Sequence, residues 1–246
     1  MTHYQLQTKS RDHSRNLDNA IDTYGCSLQE WIDLYTGINP VAYPTERFDL
    51  SDNYVLPHSS DLANLKNAAR RFWNVPEQPQ VIATNGASAA IAALPFLLEG
   101  KEGSIPRPTY NEHQAAFENA RWSLDDNTFD VQVLVHPNNP TGEIWSASVF
   151  NAPTVLVDER FVNVAPDTTL IKHSAQPSRI FIKSFGKFCR LTGLWVGFMI
   201  GADPVVSKLR ELLGPGPVGG GVIKIETAAL YDNEWAVNAR SRLKSD

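Results

Sequence analysis

The apolar residues of the chain fall into short runs typical of buried strands and longer stretches with helical spacing. Three nearly continuous apolar runs predict β-strands: Val131–Val135, Thr154–Asp158 and Arg179–Ser184. The stretch QVIATNGASAAIAALPFLL, Gln80–Leu98, predicts a strand, a glycine turn and a buried helix. Apolar residues at helical spacing predict another helix after Ser60, with Ser60 or Asp61 as its N-terminal cap.

These strands are separated by helix-length segments, so they predict an α/β fold with a mainly parallel sheet and helices on both faces. Ligands of such sheets bind at the carboxyl ends of the strands, and the residues that follow each strand are therefore the candidates for chemistry. Residues 1–30 are polar and irregular, and we expect an arm or a short helix there. The turn-rich stretch Asp33–Pro44 is expected to be a loop.

The composition is typical of a soluble globular protein, with 42% hydrophobic and 20% charged residues among 246. A net charge of −5 disfavours nucleic acid and anionic membranes as partners. The longest apolar run, Ala89–Leu98, is too short to span a bilayer, and the polar N-terminus is unlike a secretory signal. Cys26 and Cys189 are expected to be free thiols, and the histidines show no metal-ligand spacing. The expected location is the cytoplasm.

Two candidate motifs lie in the first half of the chain. TNGAS, Thr84–Ser88, places a glycine turn before a helix, where free N–H groups and the positive helix end attract an anion. The alternative is an ordinary strand-to-helix turn. RPTYNEH, Arg107–His113, follows a predicted short strand, and its Tyr110 is suited either to stacking on a planar ring or to plain packing.

Three further motifs follow predicted strands in the second half. HPNNPTGE, His136–Glu143, is expected to be a rigid turn whose two asparagines point their amides outward, or else a plain turn. Asp158 in VDERF ends a strand, and a buried carboxylate there needs a cationic partner such as a protonated pyridine nitrogen; the alternative is a helix cap. SFGK supplies Ser184 and Lys187. A lysine of lowered pKa beside a ring and a phosphate forms a Schiff base, and the alternative is a surface lysine.

Taken in this order, the motifs resemble those of the pyridoxal-phosphate enzymes of aminotransferase fold type I. Within that group the chain most resembles the threonine-phosphate decarboxylases of cobalamin synthesis, which are relatives of histidinol-phosphate aminotransferase. The resemblance extends from about Trp31 to the C-terminus and rests on these stretches: WIDLYTGINPVAYP, PTYNEH, HPNNPTG, VDERFVNVAP, SFGKFCRLTGLWVGF and LLGPGPVGGG.

The resemblance implies a set of roles around pyridoxal 5′-phosphate. Lys187 would bind the cofactor covalently, Asp158 would keep its pyridine nitrogen protonated, and Asn139 would donate to its ring hydroxyl. Tyr110 would stack on the ring. The residues implied for the cofactor phosphate are Gly86, Ala87, Ser88 and Ser184. The substrate would lie near Asn139 and Gly37.

The resemblance also implies a homodimer, because enzymes of this group place their sites at a subunit interface. Tyr43, in the VAYP stretch, would either reach the neighbouring subunit's cofactor or pack within its own chain. Phe161 stands where aminotransferases often have a tyrosine, and phenylalanine is compatible with this subgroup.

Several positions depart from the family pattern. Trp195 stands where the family has a phosphate-binding arginine, and the loss of one charged hydrogen bond would weaken cofactor binding roughly ten- to a hundredfold. Arg190 or Arg160 is a candidate replacement cation, and two exposed arginines are the alternative. Gly216 and Gly219 replace an aromatic residue and a serine, which would leave that linker flexible.

The expected division of the chain is an N-terminal arm at 1–40, a large cofactor-binding domain at 41–225 and the start of a truncated C-terminal region at 226–246. The relatives continue into a small domain that carries the arginine for the substrate carboxylate. The implied function is decarboxylation of L-threonine O-3-phosphate to aminopropanol phosphate in cobalamin biosynthesis, a lyase reaction. One alternative is an aminotransferase acting on a phosphorylated substrate such as histidinol phosphate. The other is a cofactor-poor relative that serves as a binding or scaffolding subunit.

Overall fold

The computed structural model describes residues 17–32, 36–202 and 204–245 of the chain. Parts of the predicted N-terminal arm, and the last residue of the predicted C-terminal region, lie outside the described residues. Contacts between residues divide the chain into two units, Met1–Ile38 and Asn39–Asp246.

The described part of the first unit is helical. Helix α1 spans Leu17–Tyr24, and a short 3₁₀ helix follows at Leu28–Glu30. The carboxylate of Glu30 accepts both the backbone N–H and the hydroxyl of Ser27, each at 2.8 Å. This contact closes the start of the 3₁₀ helix and holds the pKa of Glu30 below its ordinary value, chiefly through the backbone hydrogen bond.

In the second unit, the described residues form a sheet of seven strands in the order β1–β7–β6–β5–β4–β2–β3. The strands are β1 (Gln80–Thr84), β2 (Glu102–Ser104), β3 (Ser123–Leu124), β4 (Val131–Val135), β5 (Thr154–Asp158), β6 (Arg179–Ser184) and β7 (Gly197–Gly201). All neighbours are parallel except those of β7, which runs antiparallel to β1 and β6. Every strand except β7 therefore points in the same direction. The predicted fold class is confirmed, and β4, β5 and β6 lie at their predicted positions.

Helices cover both faces of this sheet. They are α2 (Ser59–Phe72), α3 (Ala87–Leu97), α4 (Asn111–Asn119), α5 (Gly186–Cys189), α6 (Pro204–Leu213), α7 (Gly220–Tyr231) and α8 (Asn233–Ser245). One buried cluster joins the strands to α2, α7 and α8, and the other joins them to α3, α4 and α6. Neighbouring residues of β6 alternate between the clusters, with Phe181 in the first and Ile180 and Ile182 in the second.

Strand β7 was not predicted from the sequence. It is short and is bounded by glycines at both ends, which are unfavourable in strands. The structure requires the first of these glycines, because a Cβ on Gly197 would lie 2.3 Å from the backbone nitrogen of Ala87. Two segments of backbone therefore touch at this point, and no side chain fits between them.

Helix α2 begins at Ser59, with His58 as its N-terminal cap. The carboxylate of Asp61 accepts the backbone N–H of His58 at 2.9 Å, as in the second half of a capping box. The predicted helix is confirmed, whereas Ser60 or Asp61 as its cap is wrong, because Asp61 acts on the cap from within the first turn.

Helix α7 runs through the predicted domain boundary at residue 225, and the contact-based division lies just before the predicted end of the arm at residue 40. The three-part division itself stays a prediction. Both cysteines are free, with Cys26 exposed and Cys189 buried. Across the described ranges, no helix combines the length and the apolar character needed to cross a membrane.

A carboxyl group without a partner lies inside the second unit. Glu226 on α7 is fully buried, and neither of its carboxyl oxygens has a hydrogen-bond partner among the described residues. Burial raises the pKa of Glu226 from its ordinary value of 4.5 to about 8. Burial also raises the pKa of the Cys189 thiol, and the negative charge of an ionised Glu226 adds to that effect. The protonated carboxyl is therefore the form that the folded protein tolerates.

The raised pKa of Glu226 predicts that the free energy of unfolding falls as the pH rises. The unfolded chain loses this proton near pH 4.5, and the folded chain keeps it until about pH 8. Between those values the folded state binds the extra proton, so the free energy of unfolding falls by at most about 1.4 kcal/mol per pH unit. Glu226→Gln is expected to remove this slope and to be more stable than the native protein at pH 8, measured by urea unfolding across that range.

The matched control is Glu234→Gln, which changes an exposed carboxylate on α8. It is expected to leave the pH dependence of unfolding unchanged. If the native protein and Glu226→Gln give parallel curves, Glu226 is not a buried, protonated group.

Candidate active site

The direction of the strands brings the motifs to one edge of the sheet. Val135 at the end of β4 pairs with Asp158 at the end of β5, which pairs with Ile182 in β6. Ser184 at the end of β6 and Thr84 at the end of β1 both pair with Gly197. The asparagine motif, the aspartate, the lysine motif and the glycine turn therefore lie along a single edge, as the parallel order predicted.

The glycine turn, Thr84–Ser88, joins β1 to α3 in the predicted way. Gly86 has φ +85°, a backbone conformation that favours glycine, and it caps the helix. The Thr84 hydroxyl donates to the Gly86 carbonyl at 2.9 Å, which fixes the turn. The N–H groups of the first helical turn, from Ala87 and Ser88 onward, have no acceptor within the helix. Together with the positive end of α3 they form an anion-binding element.

Trp195 lies directly against this glycine turn. A Cβ on Gly86 would lie 3.2 Å from Cε3 of the indole, and the Trp195 side chain is 64% exposed. The next residue, Val196, accepts a long hydrogen bond of 3.5 Å from the hydroxyl of Ser184. Ser184 and the glycine turn thus lie on either side of the start of β7, and an aromatic ring stands at the position where the resemblance led us to expect a cation.

Asp158 is a buried carboxylate with two partners. It is 1% exposed, and both of its oxygens accept hydrogen bonds from the guanidinium of Arg160 at 2.6–2.9 Å. Nε2 of His113 lies 2.8 Å from the second oxygen. Burial by itself would raise the pKa of Asp158, but the charge of Arg160 and the hydrogen bonds from His113 and Arg160 outweigh burial and hold the pKa well below its ordinary value. The carboxylate is charged, as expected for a group that binds a cation.

The sequence analysis did not single out His113. It lies inside the PTYNEH motif, three positions after Tyr110 on α4, and is completely buried. Its Nδ1 has no partner among the described residues. Its spacing of three residues from Tyr110, the N-terminal cap of α4, could have identified it in the sequence, because residues three apart on a helix share a face.

Arg160 also stacks on Tyr110. The guanidinium carbon lies 4.4 Å from the centre of the Tyr110 ring, within the range of a cation–π contact. Burial opposes the charge of Arg160, but Asp158 more than compensates and raises the pKa of the guanidinium. We call the space between Asp158 and Tyr110 the ring slot. In this structure the Arg160 guanidinium lies in it.

Lys187 faces the ring slot from the short helix α5. Its Nζ lies 4.0 Å from the centre of the Phe161 ring and 5.8 Å from that of Tyr110. Within the described part of the chain, Nζ has no hydrogen bond or ion pair. Burial, helped by the charge of Arg160 and opposed by that of Asp158, lowers the pKa of Lys187 from 10.5 to about 8. Roughly a tenth of this amine is therefore neutral, and nucleophilic, at pH 7, far more than for a lysine with the ordinary pKa.

The two asparagines of the HPNNPTGE turn differ in their surroundings. Asn138 is buried: its oxygen accepts from the Thr109 hydroxyl at 2.6 Å, and its amide donates to the Pro108 carbonyl at 2.9 Å. The prediction that both amides point outward is thus wrong for Asn138, which ties this turn to the Tyr110 loop. Asn139 is half-buried, and its side chain has no hydrogen-bond partner among the described residues. It is the amide left for a ligand.

The candidate replacement cations have other partners. The guanidinium of Arg190 is exposed and donates to the carbonyl of Pro40, and that of Arg160 is bonded to Asp158. The role of Arg190 at the phosphate stays a prediction. Gly216 and Gly219 are exposed, with open space where a Cβ would lie, so neither position requires glycine for room.

Tyr43 and Gly37 are the two other predicted residues. Tyr43 is 1% exposed and packs edge-on against Trp235, with its hydroxyl bonded to Asp232 at 3.3 Å. Of its two alternatives, the packing role is the one the structure favours. Gly37 is an exposed residue near the end of the first unit, and its role toward a substrate stays a prediction.

The sequence matches the family described as aminotransferase class I and II over residues 48–125 and 123–246. The chain belongs to this family. It is 32% identical to a threonine-phosphate decarboxylase from Pseudomonas aeruginosa, over 91% of this chain and 72% of the relative. It is 28% identical to a threonine-phosphate decarboxylase from a Sinorhizobium species, over 92% of this chain and 74% of the relative. The resemblance drawn from the motifs is confirmed.

The fold is that of aminotransferase fold type I. The histidinol-phosphate aminotransferase from Sinorhizobium meliloti in complex with pyridoxal-5′-phosphate superposes with a TM-score of 0.67 at 16% identity. The alignment covers 79% of this chain and 61% of that chain. This chain therefore spans less than two thirds of that solved structure, and the similarity concerns the fold alone.

The described residues fit pyridoxal 5′-phosphate, the cofactor that the family assignment supports. An amine of lowered pKa, a charged buried carboxylate, an aromatic ring, an unpaired amide and a helix N-terminus all lie at the same edge of the sheet. They belong to Lys187, Asp158, Tyr110, Asn139 and the glycine turn. The carboxylate suits a protonated ring nitrogen and the helix terminus suits a phosphate. Among the described residues, the guanidinium of Arg160 is the group that already occupies the ring slot.

The lowered pKa of Lys187 predicts a reactive amine. Labelling by an amine-directed reagent, followed residue by residue with mass spectrometry, is expected to be half-maximal at Lys187 near pH 8. An exposed lysine, Lys172, serves as the internal control for the reagent. Equal profiles for the two lysines would contradict the assignment of Lys187 as the nucleophile.

Proposed function

We propose that this protein is a pyridoxal-phosphate-dependent lyase that decarboxylates L-threonine O-3-phosphate to aminopropanol phosphate in cobalamin biosynthesis. The observation that carries the proposal is the convergence of Lys187, Asp158 and Tyr110 on one ring slot. The similarity to threonine-phosphate decarboxylases from two bacteria supports this substrate over others used by the family.

The cofactor supplies an electron-accepting ring that stabilises negative charge at the substrate's α-carbon when carbon dioxide leaves. In our proposal the chain contributes binding, orientation and proton transfer. Asp158 would keep the ring nitrogen protonated, and His113 keeps that carboxylate in place through its bond of 2.8 Å. Asn139 would donate to the ring hydroxyl. Nζ of Lys187 would hold the cofactor and would carry the proton that the α-carbon needs.

The remaining polar groups hold the phosphate of the cofactor. The N–H groups of Ala87 and Ser88 and the hydroxyl of Ser184 are the proposed donors. Phe161 covers the amine of Lys187, which keeps water away from it and helps to lower its pKa. The indole of Trp195 adds surface but no charge, so the phosphate is held by fewer charged hydrogen bonds than in the family pattern.

An aminotransferase acting on a phosphorylated substrate such as histidinol phosphate is the second candidate. Similarity to histidinol-phosphate aminotransferases supports it, for example 26% identity to that of Sinorhizobium fredii over 79% of this chain. Both reactions would use the same chain groups and differ in which bond to the substrate's α-carbon is broken. Carbon dioxide release distinguishes the first from keto-product formation in the second.

We also propose that the protein acts as a homodimer in the cytoplasm. An exposed apolar stretch supports self-association: Tyr54, Val55 and Leu56 are 83%, 66% and 90% exposed. Apolar side chains that follow one another at the surface are typical of a protein–protein interface.

The proposed function predicts that turnover depends on Lys187. With pyridoxal phosphate and threonine phosphate, the protein is expected to release carbon dioxide and aminopropanol phosphate. Lys187→Ala is expected to lower the rate by roughly a hundredfold or more, since it removes the nucleophile and the proton carrier. Borohydride reduction of the protein with cofactor, followed by peptide mapping, is expected to place the cofactor mass on Lys187.

The matched control is Lys172→Ala, which removes an exposed lysine and is expected to keep full activity. A folded protein that carries no cofactor mass on Lys187 and releases no carbon dioxide would favour the scaffolding alternative. Keto-product formation without carbon dioxide would favour the aminotransferase.

Replacing the Trp195 indole at the glycine turn by a cationic side chain is expected to raise the affinity for the cofactor. Trp195→Arg places a cation next to the proposed phosphate donors, and one charged hydrogen bond contributes about 1.5–3 kcal/mol. Pyridoxal phosphate is therefore expected to bind roughly ten- to a hundredfold tighter, measured by equilibrium titration. Trp195→Phe keeps an aromatic ring without the charge and is expected to bind as the native protein does. Unchanged affinity in the arginine variant would show that the phosphate does not bind at this turn.

A further inference from the structure

The ring slot is filled by a side chain of the protein itself. The Arg160 guanidinium makes three hydrogen-bond contacts with the two oxygens of Asp158, at 2.8, 2.9 and 2.6 Å. Its central carbon lies 4.4 Å from the centre of the Tyr110 ring. Arg160 is itself only 5% exposed, so this is a buried arrangement and not a surface ion pair.

This arrangement gives the guanidinium the same contacts that a protonated pyridine ring requires, namely a carboxylate and an aromatic ring. A guanidinium and a pyridinium are both planar cations, both donate N–H to a carboxylate, and both stack on an aromatic face. Asp158 is 1% exposed, and its second oxygen is also hydrogen-bonded to Nε2 of His113. The carboxylate therefore has no room for a second planar cation while the guanidinium is in place.

We propose that Arg160 occupies the place of the cofactor ring in the cofactor-free protein, and that the guanidinium must leave Asp158 before the ring binds there. The proposal rests on the function proposed above, since it concerns the same site. It makes Arg160 a specificity-determining residue. Only a ligand that offers Asp158 a planar cation of its own replaces the contacts that are lost when the guanidinium leaves.

The surroundings of Asp158 allow this exchange. The backbone N–H of Arg160 also donates to Asp158, at 3.2 Å, and this bond does not depend on where the side chain points. The bond from His113 likewise remains. These two contacts hold Asp158 in position when the guanidinium moves away.

The test is equilibrium binding of pyridoxal phosphate to the native protein and to Arg160→Ala. Removing the guanidinium leaves a buried carboxylate without its cation, so the variant is expected to bind the cofactor ten- to a hundredfold tighter. Arg160→Met fills the side-chain volume without charge, is expected to behave in the same way, and covers the case in which the alanine variant does not fold. Arg210→Ala, an exposed arginine on α6, is the matched control and is expected to bind as the native protein does.

A second measurement tests mutual exclusion directly. Methylguanidinium added to Arg160→Ala is expected to enter the vacated ring slot and to raise the apparent dissociation constant of pyridoxal phosphate competitively. The same additive is expected to leave the native protein's affinity unchanged, because its slot already holds a guanidinium. A merely structural role for Arg160 would not produce competition confined to the variant.

The outcomes separate this inference from the proposed function. If borohydride places the cofactor on Lys187 in the native protein but both Arg160 variants bind equally or more weakly, the inference is wrong and the function stands. If neither the native protein nor the variants carry the cofactor on Lys187, both are wrong. Tighter binding in the variants, with competition by methylguanidinium, supports both.

Discussion

A carboxylate that is buried at the end of a central strand stays charged only when a cation lies beside it. Asp158 is such a group, and the rest of the site is arranged around it. Helix α4 places His113 against one of its oxygens, and the residues after β5 place the Arg160 guanidinium against both. The need for a planar cation at this point is what suits the site to a protonated ring. The same need allows one of the protein's own arginines to take that place.

The second constraint is the contact of two backbone segments at the start of β7. Gly197 lies so close to the glycine turn that a Cβ there would be 2.3 Å from the nitrogen of Ala87. The contact holds the N-terminus of α3 next to the end of β6, which carries Ser184. It also fixes where the preceding residues pass, and Trp195 consequently packs on Gly86. The backbone thus fixes the position of residue 195 beside the glycine turn. Whether a cation lies there depends on the type of side chain at this position.

The sequence was sufficient for the architecture and for the edge of the sheet at which the candidate residues meet. Apolar runs located β4, β5 and β6, and the rule that parallel strands end at one edge placed Asp158 and Lys187 together. It was not sufficient for contacts that depend on side-chain geometry. Nothing in VDERF indicates that Arg160 turns back onto Asp158, and nothing in HPNNPTGE separates the buried Asn138 from Asn139. Strand β7 was missed because its glycines serve a backbone contact with a distant turn, which leaves no periodic pattern.

Arg160 influences the site in two opposing ways. While its guanidinium lies in the ring slot, it competes for Asp158 with any planar cation. The same charge, together with burial, lowers the pKa of Lys187 to about 8 and so keeps a share of that amine neutral. An arginine at this position therefore weakens the binding of a ring and favours the nucleophile that captures it. A ligand that both pairs with Asp158 and reacts with Lys187 recovers part of this loss through the second effect, whereas a ligand that only pairs with Asp158 does not. The arginine thus selects for ligands that carry a planar cation and a reactive carbonyl in one molecule.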